Sequence, residues 1–114
     1  MSATDDLYER HAEICRALAH PKRLEILHLL REGEKAVGQL QALTGLAQAT
    51  VSQHLAALRR AHLVVARQDG PRAFYSLADP LIGEACDIIA QVLLRQIDGD
   101  RRLARQAARQ GAEE

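Results

Sequence analysis

Tryptophan is missing from this chain, and aromatic residues of any kind are scarce: one Phe and two Tyr in 114 residues. Ala, Leu and Ile must therefore do the packing, which favours helices. There are only two cysteines, Cys15 and Cys86, too few for a secreted disulfide scaffold. No apolar run approaches the length of a membrane span, and the opening residues Met1 to Asp6 are polar and acidic, unlike a signal peptide. The expectation is a cytoplasmic protein with reduced thiols and no membrane partner. A glycine-rich phosphate loop, metal-ligand spacing and an arrangement of Ser, His and acid are all lacking. This predicts that the protein is no enzyme, has no catalytic residues and holds no cofactor or metal.

Net charge is lacking too: 15 Lys and Arg balance 15 Asp and Glu. Taken alone, that balance argues against nucleic acid. The distribution reverses the argument. Residues 1–20 carry Asp5, Asp6, Glu9 and Glu13 against Arg10 and Arg16, whereas residues 47–72 carry Arg59, Arg60, Arg67 and Arg72 against Asp69 alone. From Ala36 to Gln68 there is not one Asp or Glu.

Within that acid-free stretch, VGQLQALTGLAQATVSQHLAALRRA (Val37 to Ala61) reads as a short helix, a turn at Thr44-Gly45, and a second helix from about Gln48. Val51, Leu55 and Leu58 recur at i, i+4, i+7 and predict the buried stripe. Opposite lie Ala49, Gln53, Ala56 and Arg60, flanked by Gln48, Thr50 and Ser52. Small residues permit close approach to DNA, amides read base edges, and carboxylates, which would repel phosphate, are missing.

Before it, residues 4–18 predict an amphipathic helix with Leu7, His11, Ile14 and Leu18 in one stripe. Pro21 opens a second helix with Leu24, Leu27, His28 and Arg31 on one side, widened by Ile26, Leu29 and Leu30. His28 reads as a core residue there, and Arg23 with Glu25 as a structural pair. Val37, Leu40 and Leu43 are expected to face inward, with Leu46 plugging the corner. His62 stands where a left-handed residue normally ends a helix. LVVAR and AFYSL, separated at Asp69-Gly70, predict a β-hairpin. Asp79 and Pro80 start a last helix running to about Ile97. Its apolar surface exceeds what a small bundle can cover and predicts pairing with another subunit, together with the first helix. The fold expected is mainly α with a small hairpin, a single winged helix-turn-helix domain over residues 1–97. Residues 98–114, with Arg101, Arg102, Arg105 and Arg109, extend the last helix or fray.

CRALAHPKRLEILHLLREGEKAVGQL, QATVSQHLAALRRAHLV and ARQDGPRAFYSLADP, in this order and spacing, resemble the ArsR/SmtB family of small dimeric bacterial repressors. The resemblance covers roughly residues 12 to 95. It implies a winged-helix homodimer joined through the first and last helices, bound to a near-palindromic operator on double-stranded DNA and released by an inducer. On that pattern Gln48, Thr50, Ser52, Gln53 and His54 face DNA, and Arg67 and Arg72 serve the wing; Arg60 joins them from the reading of the outer helix face. Many relatives have a basic residue where this wing has Pro71, which weakens the expected wing contact.

The metal and sulfur sites of such relatives are not matched. AVGQLQAL contains no Cys, His or carboxylate, no His follows His62, His28 stands where a persulfide sensor has a thiol, and Leu94 to Gln96 supply none. Cys15 and Cys86 remain, either as a thiol-reactive pair or as small buried hydrophobes. The inducer, if thiol-directed, would act there. The alternatives to an inducible repressor are a constitutive DNA-binding protein and a winged-helix module that binds protein; the latter would need carboxylates or an apolar patch on the outer face of the second helix.

Overall fold

The computed structural model describes residues 2–113. The elements are α1 (Ala3–Leu18), α2 (Pro21–Leu30), β1 (Lys35–Ala36), α3 (Val37–Thr44), α4 (Gln48–Arg60), β2 (Val64–Asp69), β3 (Arg72–Leu77) and α5 (Pro80–Glu113). This is the expected mainly helical winged helix-turn-helix. The sheet is antiparallel with order β1-β3-β2. The chain divides into two units, residues 1–83 and 84–114. None of the helices of the described residues is long and apolar enough to cross a membrane.

Helix ends follow local chemistry. Ser2 and Asp5 form a capping box at α1, with Asp5 N–H donating to Ser2 Oγ at 3.2 Å. Asp79 accepts from Leu81 N–H at 2.9 Å and Pro80 occupies the first helical position of α5. Between α3 and α4 the turn is made by Gly45 at φ 75°, a left-handed conformation that a side chain would strain. His62 takes φ 61° at the end of α4. Its N–H donates to the Arg59 carbonyl and that of Leu63 to the Leu58 carbonyl, the Schellman arrangement, with Leu58 and Leu63 both in the core.

The core of the first unit is aliphatic: Ile26, Leu27 and Leu30 from α2, Leu40 from α3, Val51, Leu55 and Leu58 from α4, with Leu63 and Val64. The α4 stripe is the expected one, and all three of its members are fully buried. Each buried leucine fills a fitted space, so truncating one to alanine costs about 2–5 kcal/mol.

Several expectations fail at the edges. Leu24 and His28 are exposed, because α2 is covered on one side only, the side of Ile26, Leu27 and Leu30. Leu43 is exposed as well, and Leu46, beyond the turn, packs on the core. On α1 only Ala17 is buried; Leu7, His11 and Ile14 lie open. Glu25 pairs with Lys22 at 2.9 Å, not with Arg23. Beyond Ile97, where the tail was expected to extend the last helix or fray, α5 continues as helix through Glu113.

Candidate nucleic-acid interface

α4 is held from beneath by Val51, Leu55 and Leu58, so its opposite face must turn outward. Gln48, Ala49, Ser52, Gln53, Ala56 and Arg60 are all exposed, and Thr50 is half-buried at their edge. The acid-free sequence thus becomes an acid-free surface. Along α4 a shallow concavity facing β3 is lined by Ser52, Ala56, Arg59, Arg60 and Tyr75. Arg59 and Tyr75 were not among the residues expected from sequence. The signal for Arg59 was available: it stands seven residues after Ser52 on one helix face. Tyr75 is brought there only by the fold of the hairpin.

The wing is a two-residue hairpin. Asp69 and Arg72 are its last register partners, and Gly70 and Pro71 form the turn. Gly70 sits at φ 60° while Pro71 must have negative φ, which gives the II′ pattern that suits the twist of the strands. Arg67 and Arg72 both stack on Phe74, at 4.9 and 5.3 Å from the ring centroid. The two differ in partners. Arg67 forks onto Glu34, with Nη2 at 2.6 Å and Nε at 3.1 Å. This hydrogen bond and the guanidinium charge hold the Glu34 carboxyl below its usual pKa. Arg72 makes no ion pair among the described residues and stands free at the wing.

His54 is half-buried on the flank of α4. Arg23 Nε donates to its Nδ1 at 3.1 Å, and the His20 ring lies 6.2 Å away, centroid to centroid. Burial first, then the Arg23 and His20 charges, push the imidazole below its ordinary pKa.

The thiols are placed differently from the buried-hydrophobe reading. Cys15 on α1 is exposed and Cys86 on α5 is half-buried, and neither forms a disulfide. Among the described residues, no three His, Cys, Asp or Glu side chains converge as a metal site would require.

The family model described as bacterial regulatory protein, arsR family, matches residues 20–65. The uncharacterized HTH-type transcriptional regulator Rv0081 of Mycobacterium tuberculosis is 43% identical over 93 residues, covering 81% of this chain and 82% of that protein. The HTH-type transcriptional regulator CmtR of Mycobacterium bovis is 40% identical over 100 residues, 88% of this chain and 84% of that protein. Among solved structures, the homodimeric winged helix-turn-helix DNA-binding domain of Mb0332 from Mycobacterium bovis, a possible ArsR-family transcriptional regulator, superposes with a TM-score of 0.76 at 33% identity, covering 82% of this chain and 86% of that one.

Proposed function

The chain belongs to the arsR family of bacterial regulatory proteins, and on that premise we propose that this winged helix-turn-helix transcriptional regulator acts as a homodimeric repressor released from its operator by an inducer. Like its relatives it is a DNA-binding regulator, not an enzyme. The observation that carries the reading is the exposed α4 face, where amides, hydroxyls and small residues stand with no carboxylate among them. That face enters the major groove. Gln48 and Gln53 pair with base edges, Thr50, Ser52 and His54 meet phosphates or base edges at the flanks, and Arg60 with Arg72 holds the backbone, Arg67 joining them only when its pair with Glu34 opens.

Dimerisation supplies the second half of the reading. α1 exposes Leu7, Tyr8 and Ile14, and α5 exposes Ile88, Ile89, Val92 and Leu93. Pairing through these helices covers apolar surface that one chain leaves open. Residues 1–97 then act as the winged domain and residues 98–114 as an extension of its last helix. A twofold dimer sets two α4 helices about one DNA turn, roughly 34 Å, apart on a near-palindromic site. Hydroxyl-radical footprinting on the DNA upstream of the protein's own gene tests this. Two protected stretches about 10 base pairs apart are expected; one stretch, or none, counts against the dimeric reading.

The Glu34–Arg67 pair gives a graded test of the wing. Glu34→Gln removes the nearer of two counter-charges, leaving Asp69 at 3.8 Å, and makes Arg67 more available to phosphate. The slope of log affinity against log salt is expected to steepen by about 0.9 per added contact, nearly two for a dimer. An unchanged slope assigns Arg67 to the sheet alone.

The inducer, in this reading, is thiol-directed and acts at Cys15 and Cys86. Exposed Cys15 favours reaction over inert packing. Cys15→Ser and Cys86→Ser are expected to keep operator affinity and lose release by thiol oxidants or sulfane sulfur. Retained release in both variants removes the thiols from the account and leaves a constitutive binder or another effector.

A further inference from the structure

One guanidinium ties three helices together beneath the recognition face. Arg23 stands in the first turn of α2. Its Nε donates to His54 Nδ1 on α4 at 3.1 Å, and its Nη1 donates to the Ala17 carbonyl on α1 at 3.3 Å. Guanidinium has no lone pair to offer and stays charged in proteins, so Nδ1 must be the acceptor. The proton of the neutral ring then lies on Nε2. A second proton on Nδ1 would set N–H against N–H beside a fixed positive charge. His20, the N-cap residue just before α2, adds to that opposition, and α3, VGQLQALT, brings no ionisable side chain at all.

The other ring nitrogen is free. No protein acceptor meets His54 Nε2 among the described residues, and none of their buried side-chain polar atoms lacks a partner, so Nε2–H reaches solvent. His54 follows Gln53 and stands one turn beyond Thr50, on the flank where a helix in the major groove meets a phosphate strand.

We infer that Arg23 is a positioning residue for DNA binding: it fixes His54 as the uncharged Nε2–H tautomer and so presents one oriented donor to the DNA backbone. This rests on the reading of α4 as the DNA-reading helix. An unrestrained histidine divides between two tautomers and titrates near pH 6.5. The Arg23 contact removes the tautomer variation, while burial first and then the Arg23 and His20 charges hold the ring in its neutral form.

The test combines ring nitrogen NMR of the free protein with operator affinity for wild type, Arg23→Met, Arg23→Lys, His54→Gln and the double variant Arg23→Met/His54→Gln. Wild type is expected to show Nδ1 unprotonated and Nε2 protonated. Arg23→Met releases the ring to a tautomer mixture with a higher pKa. It weakens operator binding at pH 8 by about twofold in each half-site, about fourfold for a dimer, if half of the rings carry the proton on Nδ1, and recovers affinity as the ring charges on acidification. In the His54→Gln background, Arg23→Met changes affinity no further and adds no pH dependence. Arg23→Lys, which keeps a donor and the charge, restores part of the loss and guards against a folding defect in Arg23→Met. An equal, pH-independent loss with and without His54 makes Arg23 a purely structural residue and overturns the inference, as does a wild-type ring protonated on Nδ1. If the ring shows the tautomer lock and wild type still fails to bind DNA, it is the DNA-reading role of α4 that fails, and the positioning role falls with it.

Discussion

Ile89→Glu combined with Leu93→Glu is expected to convert the protein to a monomer and lower operator affinity by about 10²–10⁴. Both side chains are more than half exposed on α5, at 69% and 53%, and they lie four residues apart on one helix face. In a single chain the substitutions therefore remove no core contact, and the helix keeps its circular dichroism. In a dimer they place four carboxylates in an apolar seam. Each buried charge without a partner costs several kcal/mol, more than a modest interface can absorb. Once the protomers separate, the second half-site no longer benefits from the first, and that lost avidity is the fall in affinity. Sedimentation or light scattering reads the mass, and fluorescence anisotropy reads the binding. A variant that stays dimeric places the interface elsewhere; a monomer that still binds the full operator tightly removes the dimer from the mechanism.

The second large effect separates reading from holding. Gln53 lies at the centre of the exposed α4 face, whereas Arg72 stands free on the wing beside Phe74. An amide can pair twice with adenine, and each such contact discriminates by about 1–3 kcal/mol. Gln53→Ala is therefore expected to cut preference for the operator over random DNA by about five- to 150-fold per half-site while sparing random binding. Arg72→Ala is expected to weaken operator and random DNA alike and to flatten the salt slope by about 0.9 per lost contact. Competition binding with a shuffled duplex measures both. Equal losses on the two DNAs for Gln53→Ala would remove its base-reading role.

What the sequence made legible was whatever depends on near neighbours. Val51, Leu55 and Leu58 follow the helical period, Gly45 and His62 stand where left-handed turns end helices, and Asp79-Pro80 opens α5; each appears in the fold as expected. The hairpin was legible too, although its strands extend to Asp69 and from Arg72. The errors lie where periodicity cannot say which side of a helix is covered. Leu24, His28 and Leu43 are apolar or half-apolar positions whose burial depends on which neighbour arrives, and none arrives within the first unit. The contacts that tune the candidate interface were out of reach for a different reason. Arg23 meets His54 across 31 residues and Arg67 meets Glu34 across 33, and no local spacing relates them. Arg67 looked like a free wing cation in sequence; the fold gives it a counter-charge. Arg23 looked like the partner of Glu25; the fold turns it toward the recognition helix and gives Glu25 to Lys22.

This division bears on mechanism. Four elements bear on the recognition surface: the buried α4 stripe, the Schellman turn at His62, the Arg23 bridge and the Glu34 latch. The first two set where α4 lies, the third sets one donor on it, and the last sets how much of the wing's charge is available. A signal at α1 or α5 that changes the spacing of two such surfaces would change operator affinity without altering any base-reading residue. Such coupling needs only that the two dimer geometries differ in their fit to DNA.

The measurement that tests the central claim most directly is the affinity of the purified protein for a labelled duplex from upstream of its own gene, against a shuffled duplex of equal length, across a salt series. The expected result is a preference for the natural duplex of at least about 10³, with affinity for both duplexes falling steeply as salt rises. Equal affinity for the two duplexes, or no binding at low salt, would contradict the assignment of the acid-free α4 face to operator recognition.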